Sequence, residues 1–96
     1  MKSQIQKDDH RFYMSDAHEM YAEIAFEIDG EGRIVITHTF VAPNYRGQGL
    51  ANVLLEEIIK MATNEQRLII PQCEFAAKVL SSKPKYKHLL DPSVEL

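Results

Sequence analysis

The chain contains one cysteine, no tryptophan and no apolar run long enough to cross a lipid bilayer. A single cysteine cannot form a disulfide within the chain, and a signal-peptide pattern is missing as well. These absences predict a protein of the reducing cytoplasm that has no membrane partner.

Positive charge is scarce: 11 lysines and arginines stand against 14 aspartates and glutamates, which gives a net charge of −3. Nucleic acid is therefore not expected as a partner, because phosphate backbones require a basic surface, and only the segment 83–87 is locally basic. The paired spacings that mark metal sites are missing too, so the sequence predicts no metal. The histidines are scattered, at His10, His18, His38 and His88.

The length and composition fit one small domain. Ninety-six residues with 45% hydrophobic content can bury a modest core, and no repeat or linker divides the chain. We therefore expect a single domain over residues 1–96, as a monomer or a weak homodimer.

The first half of the chain has the alternation of half-buried strands. Apolar residues at Phe12 and Met14, and again from Met20 to Ile28, alternate with polar neighbours and predict two strands. Residues 29–32 predict a hairpin turn that leads into a strand over 33–41, whose β-branched residues on both faces favour a more central position.

The second half predicts helices around one more strand. Apolar residues at helical spacing predict a surface helix over about 49–62. The apolar segment 68–70 predicts a buried strand parallel to 33–41, because the intervening helix acts as a crossover, and 72–80 predicts a second helix. The inward positions of the first helix are Leu50, Val53, Leu54, Ile58 and Met61. The predicted fold is α/β (α+β), a mostly antiparallel sheet with one parallel pair and helices packed on it.

Glycine is also rare, with four in the chain, yet two of them stand where the strand over 33–41 passes into the first helix. In this turn Arg46, Gly47 and Gly49 would let backbone N–H groups converge on an anion at the helix N-terminus, where the helix dipole favours negative charge. The segment predicts a cradle for a pyrophosphate. The alternative is that the glycines only form a tight turn between strand and helix.

The pattern Arg46-x-x-Gly49-x-Ala51 resembles the acetyl-CoA signature, Gln/Arg-x-x-Gly-x-Gly/Ala, of the general-control N-acetyltransferase (GNAT) superfamily. Over nearly its whole length the chain resembles the very small GNAT-like acetyltransferases. The other segments that carry this resemblance are the strand before the cradle, Pro71-x-Cys73-x-Phe75-Ala76 and Lys83-Pro84-Lys85-Tyr86.

The resemblance implies an N-acetyltransferase that uses acetyl-CoA as cosubstrate and acetylates an unidentified amine on a protein or a small molecule. It implies that the strands over 33–41 and 68–70 splay apart and hold the pantetheine arm, with Phe40 and Val41 contacting it through their main chain. The pyrophosphate would then be held by Arg46, Gly47, Gln48, Gly49, Leu50 and Ala51. The 3′-phosphate of CoA would meet Lys83, Lys85 and Lys87, unless these form only a solvated basic tail.

Cys73 is the first candidate for chemistry, since it follows the buried strand at the expected start of a helix. His38 shares strand parity with Ile34 and Ile36, so we expect its side chain on an apolar face within reach of Cys73. It could remove the thiol proton or relay the proton of an amine, through an acetyl-cysteine or in direct transfer. The alternatives are a cysteine that acts as a small hydrophobe and a satisfied core histidine.

Three further residues are weaker candidates. Tyr86, or else Tyr45, could return a proton to the leaving thiolate, although a tyrosine in such a turn is more often a packing anchor. Glu23 could act as a general base through water, although exposed strand glutamates are mostly solvated. Two other functions stay open: a non-catalytic module that binds CoA or acyl-CoA, and a small interaction protein whose glycine loop only shapes a turn.

Overall fold

The computed structural model describes residues 4–94, which form a five-stranded sheet with two α-helices. The strands are β1 (Gln6–Lys7), β2 (Arg11–Ser15), β3 (Met20–Ile28), β4 (Ile34–Val41) and β5 (Ile69–Pro71). The helices are α1 (Leu50–Glu65) and α2 (Glu74–Ser82), with short 3-10 helices at Pro43–Tyr45 and Pro84–Leu89. In this part of the chain no helix has the length and apolar character that crossing a membrane requires.

The strands follow one another in the sheet in the order of the chain. Strands β1 to β4 pair antiparallel, and β4 pairs parallel with β5 across the α1 crossover. The predicted fold, a mostly antiparallel sheet with one parallel pair, is confirmed. Strand β1 was not expected, because two exposed residues carry no periodicity that a sequence pattern could reveal.

The hydrophobic core lies on one face of the sheet. Buried residues face each other across neighbouring strands, so they share that face. The buried pairs are Phe12 with Ile24, Phe26 with Ile36 and Ile34 with Ile69. Buried side chains of α1 and α2 join the same cluster, among them Leu54, Ile58, Ala76 and Leu80. Each fully buried aliphatic side chain contributes about 1.5–3 kcal/mol of transfer free energy to this layer.

The opposite side of the sheet, which we call the open face, carries a mixed polar and aromatic surface. Its residues are half-buried or exposed and pair with one another across β2, β3 and β4. They are Arg11, Tyr13, Glu23, Ala25, His38 and Phe40.

Helix α1 differs from the prediction in length and in one inward residue. It continues to Glu65, because the apolar stripe extends through Met61 and Ala62, and Gln66 ends it in the left-handed conformation with φ 55°. Val53 was expected to face inward, which is wrong: its side chain is 41% exposed. The stripe instead takes Leu55 and Ile59 on the neighbouring helical positions.

The turn before β4 is braced by Arg33. Its backbone N–H donates to Asp29 Oδ1 (2.9 Å) and its Nε donates to Asp29 Oδ2 (2.7 Å). The guanidinium also pairs with Glu31 and lies 3.4 Å from Asp91 Oδ2. The pKa of Asp29 is lowered mainly by the Arg33 N–H, and that of Asp91 mainly by the Ser93 hydroxyl. Both carboxylates are therefore stabilised in the folded state.

The parallel pair of strands is short. Its ladder joins Ile34–Ile36 to Ile69–Pro71, and then β5 ends while β4 continues to Val41. The N–H groups of Gln72 and Cys73 both donate to the Ile36 carbonyl, at 3.0 and 3.1 Å, so the chain turns away from β4 at this point. The result is a slot beside β4 from residue 37 to residue 41, about 13 Å long at about 3.3 Å per residue.

A β-bulge lies at the start of this slot. Ile36 pairs with Phe26, but the next pair toward the slot is His38 with Ala25, which leaves Thr37 as an extra residue in β4. A bulge of this kind reverses the alternation of side chains in the rest of the strand.

The reversal decides which side chains face the core. Beyond the bulge Thr39 pairs with buried Ile24, so it lies on the core side of the sheet. Phe40 pairs with Glu23 on the open face, and His38 lies on that same face. The alternation expected for His38, on an apolar face with the earlier residues of β4, is therefore wrong.

Candidate functional site

The turn between β4 and α1 forms an open cradle, which we define as residues 42–49. Gly47 and Gly49 have φ values of 83° and 76°, in the left-handed region that favours glycine. Gly49 is the N-cap of α1, and no side chain caps the helix. The first N–H groups of α1 have no acceptor within the helix, so they are available to an anion.

Arg46 supplies the positive charge of the cradle. Its Nε donates to the Val41 carbonyl (2.9 Å), which ties the guanidinium to the end of β4. The side chain is exposed, and a guanidinium has further N–H donors that can bind a phosphate.

A hollow of about 270 Å³ lies over the cradle. A Cβ placed on Gly47 or Gly49 would meet no atom within 4 Å, so both positions border open space. The hollow is lined by Val41, Tyr45, Arg46, Gly47, Gly49, Leu50 and Ala51. Of the residues that the resemblance assigned to CoA, Gln48 is exposed in the same turn and Phe40 lies on the open face, and neither lines the hollow.

Cys73 lies on the other wall of the slot, directly before α2. It is half-buried, and its Sγ lies 3.1 Å from Thr39 Oγ1. Thr39 was not anticipated from the sequence, because only the bulge brings it to the core side of β4. The structure thus pairs the thiol with a hydroxyl rather than with an imidazole.

His38 lies away from Cys73, on the open face. Its side chain is 57% exposed, and Nε2 is 3.6 Å from Glu23 Oε2. The expected pairing of His38 with Cys73 is not found, since the extra residue Thr37 has turned the imidazole to the opposite side of the sheet. The sequence placed His38 and Glu23 as separate candidates, and the structure brings them together.

Glu23 is the centre of a charged group on the open face. Its side chain is 17% exposed, and Oε1 accepts a hydrogen bond from Arg11 (3.0 Å). Arg11 also pairs with Asp8 (3.2 Å) and lies over the Tyr13 ring, 4.2 Å from its centroid. This packing holds the Glu23 carboxylate beside His38.

The comparisons with known proteins agree with this geometry. The sequence profile of the GCN5-related N-acetyl-transferases matches residues 11–89. This chain belongs to that family. The match covers β2 through the second 3-10 helix, and so includes the cradle, the slot and the charged group of the open face. Among curated proteins, no sequence matches the chain.

Solved structures of N-acetyltransferases have the same fold. A GCN5-like putative N-acetyltransferase from Staphylococcus aureus is 29% identical, with a TM-score of 0.76 over 96% of this chain and 90% of that one. A GCN5-related N-acetyltransferase from Ralstonia eutropha is 13% identical, with a TM-score of 0.63 over 90% of this chain and 61% of its own. A ribosomal-protein-alanine N-acetyltransferase from Brucella melitensis is 12% identical, with a TM-score of 0.57 over 90% and 66%.

The remaining candidate of the family resemblance, Tyr86, is buried in the helix Pro84–Leu89. Its hydroxyl donates to Glu56 Oε1 (2.8 Å), and this bond is the main reason that the pKa of Tyr86 is raised. The ammonium groups of Lys83 and Lys85 lie 5.8 and 5.0 Å from the centre of the Tyr86 ring. Glu56 lies in the second turn of α1, about 10 Å from the helix start at about 1.5 Å per residue, so this basic segment borders the helix that carries the cradle.

Within residues 4–94, the acidic, histidine and cysteine side chains form no group of three or more that could hold a metal ion.

Proposed function

We propose that this protein is an acetyl-CoA-dependent N-acetyltransferase. The observation that carries the proposal is the continuity of the cradle with the slot. Val41 is the last residue of the part of β4 that pairs with β3 but not with β5, and it also lines the hollow at the start of α1. A ligand with an anionic head and an extended arm fits this shape. The head meets the N–H donors at the start of α1, and the arm meets the edge of β4 that β5 leaves unpaired.

The residues of the cradle fit the pyrophosphate of CoA. The uncapped start of α1 and Arg46 supply donors and positive charge, and Gly47 and Gly49 let the ligand approach the backbone. The main chain of Phe40 and Val41 would pair with the pantetheine arm. The basic segment 83–87 would meet the 3′-phosphate, as expected from the sequence.

The acetyl transfer can be written as a balanced reaction that uses the groups of the open face. The ammonium of the acceptor loses one proton, its nitrogen forms a bond to the thioester carbon and then loses a second proton, the carbon–sulfur bond breaks, and the thiolate takes up one of these two protons. One amide, one thiol and one released proton result. His38, whose Nε2 lies 3.6 Å from Glu23 Oε2, would accept a proton from an amine that arrives from the open face.

We infer direct transfer rather than an acetyl-cysteine. Cys73 has Thr39 as its polar neighbour, whereas the histidine expected to activate it lies on the other side of the sheet. A nucleophilic cysteine needs an adjacent base or a comparable activation. Cys73 and Thr39 therefore form a wall of the slot in this proposal. The return of a proton to the thiolate by Tyr86 stays a prediction, and it would require the hydroxyl to leave Glu56.

The acceptor is a protein or a small amine. Solved structures of this fold include the ribosomal-protein-alanine N-acetyltransferase and an aminoglycoside acetyltransferase from an uncultured soil sample, and both likenesses concern the fold alone at 12% and 17% identity. The open face leaves room for either kind of acceptor.

An acetylation assay with peptide, protein and small-amine pools tests the proposal, with acetyl-CoA consumption and acceptor mass followed together. We expect transfer to at least one amine and retained transfer in Cys73→Ala. An acetyl group found on Cys73 would replace direct transfer by the covalent route. Tight CoA binding with no transfer in any pool would favour the non-catalytic CoA-binding module.

A further inference from the structure

The cradle is joined to the rest of the fold through Tyr45. The Tyr45 ring stacks on Tyr21 with ring centroids 4.0 Å apart and an angle of 12° between the planes. Tyr21 is only 6% exposed and belongs to the hydrophobic core, so it gives the cradle a fixed platform. The backbone supports the same contact, because the Ala42 N–H donates to the Tyr21 carbonyl (2.8 Å).

The hydroxyl end of Tyr45 is fixed separately. It donates to Asp16 Oδ2 (3.0 Å), in the turn between β2 and β3. Asp16 is itself held by the turn, since its Oδ1 accepts the N–H groups of His18 (2.8 Å) and Glu19 (2.9 Å). The bond to Asp16 is also the main reason that the pKa of Tyr45 is raised, so the phenol keeps the proton that it donates.

No other cradle side chain forms a hydrogen bond to a distant element in the described part of the chain. The Arg46 bond ends on nearby Val41, and the two backbone bonds of the turn, from Tyr45 to Ala42 and from Arg46 to Pro43, are local. The part of the cradle with left-handed backbone begins at Gly47, two residues after Tyr45. Local contacts give this part little restraint.

We propose that Tyr45, stacked on Tyr21 and bonded to Asp16, is a positioning residue that fixes the cradle before the cosubstrate binds. The inference rests on the proposed function for its effect on acetyl-CoA, whereas its effect on the cradle is a property of the protein alone. A preformed cradle binds more tightly because less conformational freedom is lost on binding.

The test compares Tyr45→Phe, which keeps the stack and removes the bond to Asp16, with Tyr45→Leu, which removes both. Thr63→Val is the control, because it removes a side-chain hydroxyl that donates to the Ile59 carbonyl (2.9 Å) at the end of α1 opposite to the cradle. Amide hydrogen exchange of residues 46–49 is measured without ligand, and the dissociation constant of acetyl-CoA is measured on the same samples. Urea unfolding measures the stability of each variant and hence its folded fraction, so that the affinities can be referred to folded protein.

We expect exchange at 46–49 to rise in Tyr45→Phe and acetyl-CoA affinity to fall about tenfold, the scale of one hydrogen bond to a charged acceptor. Tyr45→Leu should lose more, and Thr63→Val should match the wild type. In turnover, the KM for acetyl-CoA should rise while kcat stays within about twofold, which separates positioning from chemistry.

Unchanged exchange and affinity in Tyr45→Phe and Tyr45→Leu would overturn the inference. If the wild type binds no acetyl-CoA, the proposed function fails by itself, and the exchange data still decide whether Tyr45 orders the cradle. Equal loosening in Thr63→Val would also count against a specific role for Tyr45.

Discussion

The two halves of β4 differ in what they contact. Residues 34–36 pair with strands on both sides, and Ile34 and Ile36 are fully buried. Residues 38–41 pair with β3 alone, and their side chains are half-buried or exposed. One extra residue, Thr37, separates the two halves. The first half holds the sheet together, and the second leaves backbone groups and side chains available to ligands.

One extra residue in β4 changes the surroundings of the candidate site. The bulge sends Thr39 toward Cys73 on the core side and His38 toward Glu23 on the open face. The core side and the open face therefore carry different side chains next to the slot. Beyond the bulge, the antiparallel pairing of β3 with β4 continues unchanged. Bulges are found next to active sites for this reason.

The largest expected effect is on the stability of the protein and concerns the first half of β4, residues 34–36. Ile36→Ala should lower the free energy of unfolding by about 2–5 kcal/mol, because it opens a cavity in the core. Val53→Ala on the exposed side of α1 is the control and should cost less than about 1 kcal/mol. Urea denaturation measures both, and acetyl-CoA affinity of the folded Ile36 variant should stay close to wild type. If Ile36→Ala weakened acetyl-CoA binding without lowering stability, the division of β4 into a structural half and a ligand-facing half would be wrong.

The next effect concerns the cradle. Gly49→Val should weaken acetyl-CoA binding by about 10–100-fold, since a branched side chain disfavours the left-handed conformation and fills the approach to the helix N-terminus. Gly30→Ala is the matched control, because a Cβ there meets no atom within 4 Å and the residue is not among those with positive φ. Calorimetric titration compares the two variants. Equal affinities would mean that the glycine only shapes the turn.

A smaller effect is expected in the slot. Thr39→Val removes the hydroxyl beside Cys73, and we expect kcat to fall about two- to fivefold with CoA binding unchanged. Cys73→Ala should act similarly, and the double variant should be no worse than either, because contacting residues are not additive. Steady-state kinetics of the three variants test this. If Cys73→Ala alone abolished turnover, Cys73 would not be merely a wall of the slot.

The smallest effect is the pH dependence of the turn before β4. The folded pKa values of Asp29 and Asp91 lie below their unfolded values, so both stabilise the fold above about pH 4 and lose this contribution as the pH falls through the folded values. Arg33→Met should lower stability at neutral pH and flatten the loss on acidification in part, because it removes the guanidinium but keeps the Arg33 backbone N–H and the Ser93 hydroxyl, the main causes of the two lowered pKa values. Thermal unfolding between neutral and acid pH follows this effect. Lys60→Met, which breaks an exposed ion pair on α1, should leave the profile unchanged.

Local patterns were sufficient to predict strands β2 to β5, the crossover and the glycine turn before α1. Alternation, helical spacing and the glycines before α1 each act within a few residues, so a sequence shows them directly. The helix boundaries were less exact, and Val53 was placed inward because it lies one position from the true stripe.

The partners within the site could not be predicted in the same way. The bulge at Thr37 has no local signal, and without it the parity of His38 and Thr39 is misjudged. The contacts of Tyr45 with Tyr21 and Asp16, and of Tyr86 with Glu56, join residues far apart in the chain. Such contacts follow from tertiary packing, which no short window of sequence contains.

The most direct test of the central claim is a titration of the protein with acetyl-CoA and CoA, followed by heteronuclear NMR of the backbone amides. We expect large shifts in residues 38–51 and 69–76, which line the cradle and the slot, and small shifts in residues 20–28 and 34–36. Absence of shifts at saturating ligand, or shifts confined to another surface, would contradict it.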